Sequence, residues 1–72
     1  MYHYPRIRDL REDRDLYQKD IAKLLQTTQP YYSEYESGIR EIPFHHAITL
    51  ADFYGVSLDY IAGRTNIKKP VL

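Results

Sequence analysis

The stretch QKDIAKLLQTTQPYYSEY, residues 18–35, decides how the chain folds. It opens as an amphipathic helix over about Gln18 to Leu25. Ile21, Ala22, Leu24 and Leu25 recur at the three-to-four spacing of a buried stripe, with Lys19, Asp20 and Lys23 on the other side. Gln26-Thr27-Thr28 then breaks the helix. Thr28 is placed to cap another, because its hydroxyl accepts a free backbone N–H. Pro30 falls in the first turn of that next helix, where a missing N–H does no harm. Tyr32 and Tyr35 point inward, and Gly38 suits the helix end. Two short helices joined by a three-residue turn cross steeply instead of lying antiparallel.

Similar punctuation extends in both directions. Pro5 opens a first helix, with Ile7 and Leu10 on its inner face and Arg6, Arg8, Arg11 and Glu12 facing out. Asp13 to Asp15 is a polar break, and Leu16 is an apolar staple into the second helix. Ile39 to Ile42 connects to a fourth helix opened by Pro43, with Ala47, Leu50, Ala51 and Tyr54 on one face and Ile48 beside them. Gly55 ends it. Ser57 caps a short fifth helix containing Leu58 and Ile61, and Gly63 ends that. No sustained alternation argues for a sheet. The expectation is an all-α domain of five short helices around one core, over residues 1–66, followed by a tail, 67–72.

The totals exclude more than they identify. Seventy-two residues make one small domain, near the lower limit for folding without a staple. The absence of cysteine excludes disulfides and thiolate metal sites, which fits a reducing cytoplasm. No apolar run is long enough to span a membrane, and MYHYPRIRDLRE lacks the apolar core of a signal peptide. A cytoplasmic location is therefore expected. Ten basic side chains balance ten acidic ones, so net charge gives no pointer to a polyanion. The adjacent His45 and His46 point about 100° apart on a helix and do not readily share a metal. No nucleophile–base pair, phosphate loop or metal-ligand spacing appears, so no enzyme, cofactor, metal or small-molecule ligand is expected.

The steep crossing is the geometry of the helix-turn-helix unit. There the first helix braces on the DNA backbone and the second enters the major groove. The sequence also resembles the lambda repressor-like (Xre-type) helix-turn-helix DNA-binding domain, from about Ile7 to Arg64. IRDLRED resembles the family's first helix, and Gln18 matches the Gln that opens its second. Ala22 matches the small residue at the helix–helix contact, Tyr32 and Tyr35 its apolar positions in helix three, and YESG its common helix end. LADFYGVSLDYIAGR is similar to the family's last two helices almost residue for residue. The resemblance implies a compact five-helix domain with the unit at helices two and three. It also implies that Gln18 meets a phosphate or supports a second Gln, and that Gln29 reads an adenine. A carboxamide offers one donor and one acceptor, matching adenine N6 and N7.

Other expected DNA-facing residues surround Gln29. Pro30, Tyr31, Ser33 and Glu34 are outward on the third helix. Tyr31 reaches a phosphate or a thymine methyl, or is a surface or dimer contact. Ser33 suits close approach or a phosphate hydrogen bond, and Thr28 could donate to phosphate while capping. Arg40 is a phosphate contact or a surface partner of Glu41. Glu36 is expected to satisfy local backbone or an arginine. Two departures stand out. Gln26 holds the position usual for a turn glycine and must accept an unusual backbone angle or reshape the turn. The reading helix has no Lys or Arg, and Glu34 repels phosphate unless it accepts from a cytosine amino group. Weak affinity per monomer and a shallow salt dependence follow.

The function expected is a sequence-specific double-stranded DNA-binding transcriptional regulator, a repressor, acting as a homodimer on a two-fold operator. Helix five and the tail, with Tyr60, Ile67, Val71 and Leu72, offer the dimer surface. The alternative is a protein-interaction module that keeps the fold with little DNA binding, using an exposed cluster of Tyr31, Tyr35 and Phe44.

Overall fold

In the computed structural model, which describes residues 3–69, the chain forms α1 (Arg6–Asp13), α2 (Gln18–Leu24), α3 (Gln29–Ser37), α4 (Phe44–Tyr54) and α5 (Leu58–Ala62). No strand occurs among the described residues. The helix starts follow the expected chemistry. Thr28 Oγ1 accepts the Tyr31 N–H (3.3 Å) at α3, and Ser57 Oγ accepts the Tyr60 N–H (2.9 Å) at α5. At α2, Asp20 Oδ2 reaches back to accept the Tyr17 N–H (2.9 Å).

Four helices end on the same backbone device. After α1, α2, α4 and α5 one residue enters the left-handed region: Asp15 (φ 56°), Gln26 (57°), Gly55 (69°) and Gly63 (82°). The next N–H then returns to a carbonyl in the last turn: Leu16 to Arg11 (3.1 Å), Thr27 to Ala22 (2.9 Å), Val56 to Ala51 (3.0 Å) and Arg64 to Asp59 (2.8 Å). Gln26 therefore does take the glycine conformation the sequence demands of it. The end of α3 is different. Gly38 turns left-handed (φ 83°), but the returning N–H is that of Arg40, which bonds Glu34 O (3.2 Å) one residue wider than elsewhere.

Ile7, Ile21, Tyr32 and Leu50 are fully enclosed at the centre. Each such aliphatic side chain contributes about 1.5–3 kcal/mol by leaving water. Ala22, with no bulk beyond Cβ, is buried where α2 and α3 pack. α1 packs on α5, and α5 on α4.

Several side chains depart from the periodicity. Arg6 and Arg11, expected outward, are partly buried. Arg6 donates to the carbonyls of Tyr60 (2.8 Å) and Thr65 and to Asn66 Oδ1 (2.6 Å), and its guanidinium lies 4.1 Å from the Tyr60 ring centroid. A long cation on α1 thereby ties α5 to the segment that follows it, adding a second bond to Tyr60 O, which already accepts the Gly63 N–H (3.1 Å). Leu24 (36%) and Ile48 (39%) are exposed, not core. Each sits about 100° round its helix from a buried neighbour, Leu25 or Ala47, which takes it past the edge of the buried stripe. Tyr35 is buried at 5% exposure, so the proposed exposed cluster of Tyr31, Tyr35 and Phe44 does not form; Tyr31 and Phe44 alone are exposed. The Tyr60 ring expected on a dimer surface is covered by Arg6, whereas Ile67 is exposed. Val71 and Leu72 lie outside the described residues.

Candidate nucleic-acid interface

A buried carboxylate fixes the base of the interface. Glu36, on the inner side of α3, accepts from Arg11 twice, Nε to Oε2 at 2.7 Å and a terminal nitrogen to Oε1 at 3.1 Å. The amide N–H of Gln18 donates to the same Oε1 at 3.0 Å. Arg11 also donates to Leu16 O (2.8 Å), and the His3 ring N–H donates to Glu36 O (2.7 Å). Burial alone would raise the Glu36 pKa, but the bonds from Arg11, the nearby Tyr32 hydroxyl and Gln18 outweigh it and hold the pKa below its ordinary value. The Arg11 pKa is raised by its bond to Glu36, against burial. Tyr32 and Tyr54 present buried hydroxyls without a well-formed hydrogen bond beside this charged group. Burial, then Glu36, pushes both upward: Tyr54 to about 12, Tyr32 further still. This knot joins α1, α2 and α3 through one carboxylate.

Gln18 is therefore half-fixed. Its amide serves Glu36, and no hydrogen bond joins it to Gln29 among the described residues. The two glutamines nevertheless line one shallow depression, together with Arg11, Tyr17 and Lys19. Gln29, Pro30 and Tyr31 are exposed at the start of α3, and Thr28 is exposed while it caps. Ser33 is half-buried, between α3 and the Arg8, Arg11 and Gln18 side chains. So the structure brings Gln18, Gln29 and Ser33 to one flank of α3, where α2 begins.

Lys19 and Tyr17 had no assigned role in the sequence reading. Both are exposed, and Lys19 Nζ lies 5.5 Å from the Tyr17 ring centroid. Lys19 has no carboxylate partner among the described residues. It sits in the first turn of α2, where the helix dipole already disfavours a cation. Asp20 in the same turn already caps the backbone there, so the exposed Lys19 ammonium is the group at this helix start that can meet an anion. The signal was available: a Lys directly after the Gln that opens α2.

Glu34, bonded to Arg40, lies further along the outward face of α3. Arg40 Nε donates to Glu34 Oε1 at 2.9 Å, and the guanidinium lies 4.4 Å from the Tyr31 ring centroid. The bond to Glu34 raises the Arg40 pKa. Arg40 is thus paired within α3's own surface and not through the Glu41 ion pair the sequence suggested. The His45 and His46 rings approach more closely than their helical positions predict, with centroids 4.2 Å apart. Burial, then His45, lowers the His46 pKa. Among the described residues no group of three or more His, Cys, Asp or Glu side chains could hold a metal. No described helix is long and apolar enough to cross a membrane.

The family profile described as "Helix-turn-helix" matches residues 7–61, which covers all of α1 to α4 bar its first residue and reaches into α5. The chain belongs to the lambda repressor-like (Xre-type) helix-turn-helix family. That is a family of DNA-binding transcriptional regulators and not of enzymes. Two relatives from Bacillus subtilis (strain 168) are similar along most of it. The "Uncharacterized HTH-type transcriptional regulator YqaE" is 35% identical over 63 residues, 86% of this chain and 54% of the relative. The "Uncharacterized HTH-type transcriptional regulator YobD" is 32% identical over 65 residues, 90% of this chain and 58% of the relative. The chain thus spans a little over half the length of these relatives. No solved structure matches it significantly.

Proposed function

We propose that the chain is a sequence-specific double-stranded DNA-binding regulator that inserts α3 into the major groove while the start of α2 grips the backbone. One observation carries this reading: Gln29 stands exposed at the first position of α3, in the same depression as Gln18 and Lys19, which has no carboxylate partner among the described residues. A base-reading carboxamide and a phosphate-attracting ammonium then face the same duplex. Thr28, Pro30, Tyr31 and Ser33 border the contact, and Glu34, bonded to Arg40, lies further along the outward face of α3. A single α3 reads only a few base pairs, so the reading includes a homodimer on a two-fold operator. Repression follows if that operator overlaps a promoter. The work of such a protein lies in the cytoplasm, at the nucleoid when bound.

Selection of duplexes from a random pool at low and moderate salt tests this. The expected result is an enriched two-fold motif that Gln29→Ala no longer selects. No enrichment at low salt would overturn the reading. It would favour the second one, a protein-docking module, for which the net charge of zero and the exposed Ile39 and Phe44 speak.

A further inference from the structure

Glu34 is the residue of α3 that ought to oppose DNA binding. At about 100° per residue, Pro30, Glu34 and Ser37 point away from the buried side formed by Tyr32, Tyr35 and Glu36. A carboxylate near the middle of that outward face meets phosphate repulsion and base edges rich in acceptors. The structure shows how the repulsion is answered. The wider exit of α3 returns the Arg40 N–H to Glu34 O (3.2 Å), and the side chains of the same two residues bond at 2.9 Å. Ser37 Oγ donates to that carbonyl as well (3.2 Å). Tyr31, one turn before Glu34, stacks under the guanidinium at 4.4 Å. The other four helices end one residue tighter, so this arrangement is particular to α3.

The consequence is a carboxylate held at one oxygen and open at the other. Arg40 takes Oε1, while Oε2 has no hydrogen-bond partner among the described residues, and the side chain stays 35% exposed. An open carboxylate oxygen accepts and never donates. In the major groove cytosine presents a lone amino donor. Adenine pairs its donor with the N7 acceptor, guanine presents N7 and O6 acceptors, and thymine an O4 acceptor and a methyl.

We infer that Glu34 is a second base-reading residue that selects cytosine, and that Arg40 and Tyr31 are positioning residues holding its carboxylate, not phosphate or base contacts themselves. The inference rests on the DNA reading above and deepens it. Arg40 screens Glu34 from the backbone and leaves its acceptor face free. The cytosine is a different position in the site from the adenine read by Gln29.

The test compares the wild-type chain with Glu34→Gln, Arg40→Ala and Tyr31→Ala in the same random-pool selection, followed by competition binding on the enriched duplex. One position of the wild-type motif should be cytosine, preferred about 5- to 10-fold over each other base, the lower end of what a good base contact gives because a single open oxygen accepts one bond. In Glu34→Gln that position should change to adenine, because a carboxamide restores the donor. Arg40→Ala should flatten the preference at that position alone. Tyr31→Ala should flatten it partly. Neither should change the salt dependence of binding, whereas loss of a phosphate contact would lower the log–log slope by about 0.9. An enriched wild-type motif whose positions Glu34→Gln leaves unchanged overturns this inference and spares the DNA reading. A fall in salt slope for Arg40→Ala with the cytosine retained does the same, by making Arg40 a phosphate ligand. A wild-type chain that enriches nothing overturns both.

Discussion

Replacing Glu36 by Gln tests the knot on which the interface stands. The change keeps size and shape, so it opens no cavity, but it removes the charge that Arg11 faces with only 12% of its side chain exposed. A buried pair broken on one side costs about 3–5 kcal/mol. The residual exposure of Arg11 places the expectation at the lower end, about 3 kcal/mol. A chain of this length has on the order of 4–11 kcal/mol to lose, so the variant keeps a reduced margin. With a urea m-value of about 1 kcal/mol/M, the unfolding midpoint should fall by about 2–3 M at neutral pH. The pH dependence carries its own sign. The folded pKa of Glu36 lies below its ordinary 4.5, so its contribution is fully present above that value and is lost as the pH falls through the folded pKa. The gap between wild type and Glu36→Gln should therefore close in acid. The double replacement Arg11→Met with Glu36→Leu should recover most of the loss, because neither charge is then stranded. A midpoint shift under about 0.5 M for Glu36→Gln, or a gap that does not narrow in acid, would refute the reasoning.

Gln26→Gly should stabilise the fold by up to about 1 kcal/mol, read as a raised thermal midpoint, because φ 57° favours glycine. Gly38→Ala should do the reverse by more than about 1 kcal/mol, since φ is 83° and a new Cβ would lie 3.1 Å from the His3 ring. Tyr54 and Tyr32 have folded pKa values above the ordinary 10, so the stability they confer is complete below pH 10 and fades as the pH rises towards about 12 and beyond. Absorbance titration should show these two tyrosines ionising only as the protein unfolds. Lys19→Ala should weaken binding to all duplexes alike and lower the salt slope by about 0.9, with no change in preferred sequence.

Helix order was legible because its punctuation is local. Thr28, Ser57, Gly38, Gly55 and Gly63 each act through the backbone within a few residues, and so does the demand placed on Gln26. The buried stripe of α3 was legible for the same reason. The expectation that Glu36 serves local backbone or an arginine holds, but which residues meet across distant parts of the chain was not readable. Arg11 is polar and sits at an ambiguous helical angle, and only the arrival of Glu36, 25 residues later, draws it inward. Arg6 likewise answers carbonyls at the far end of the chain. In the candidate site, Gln18 and Gln29 were singled out by the family resemblance and not by spacing alone, and the structure shows only that they line one depression. Glu34 and Arg40 could not be paired, because their meeting depends on an exit from α3 one residue wider than the other four. Lys19 was readable but indistinguishable from ordinary solvated charge, because only the fold shows that it has no carboxylate partner among the described residues and lies beside the Tyr17 ring.

The most direct measurement is a titration of the isotope-labelled chain with its selected duplex, followed through backbone amide shifts. The account predicts that the largest changes fall on Tyr17 to Lys19 and on Thr28 to Glu34, with the buried knot around Glu36 shifting little. Changes confined to α4, around Phe44 and Ile48, would contradict it and make α4, not α3, the element that meets the partner.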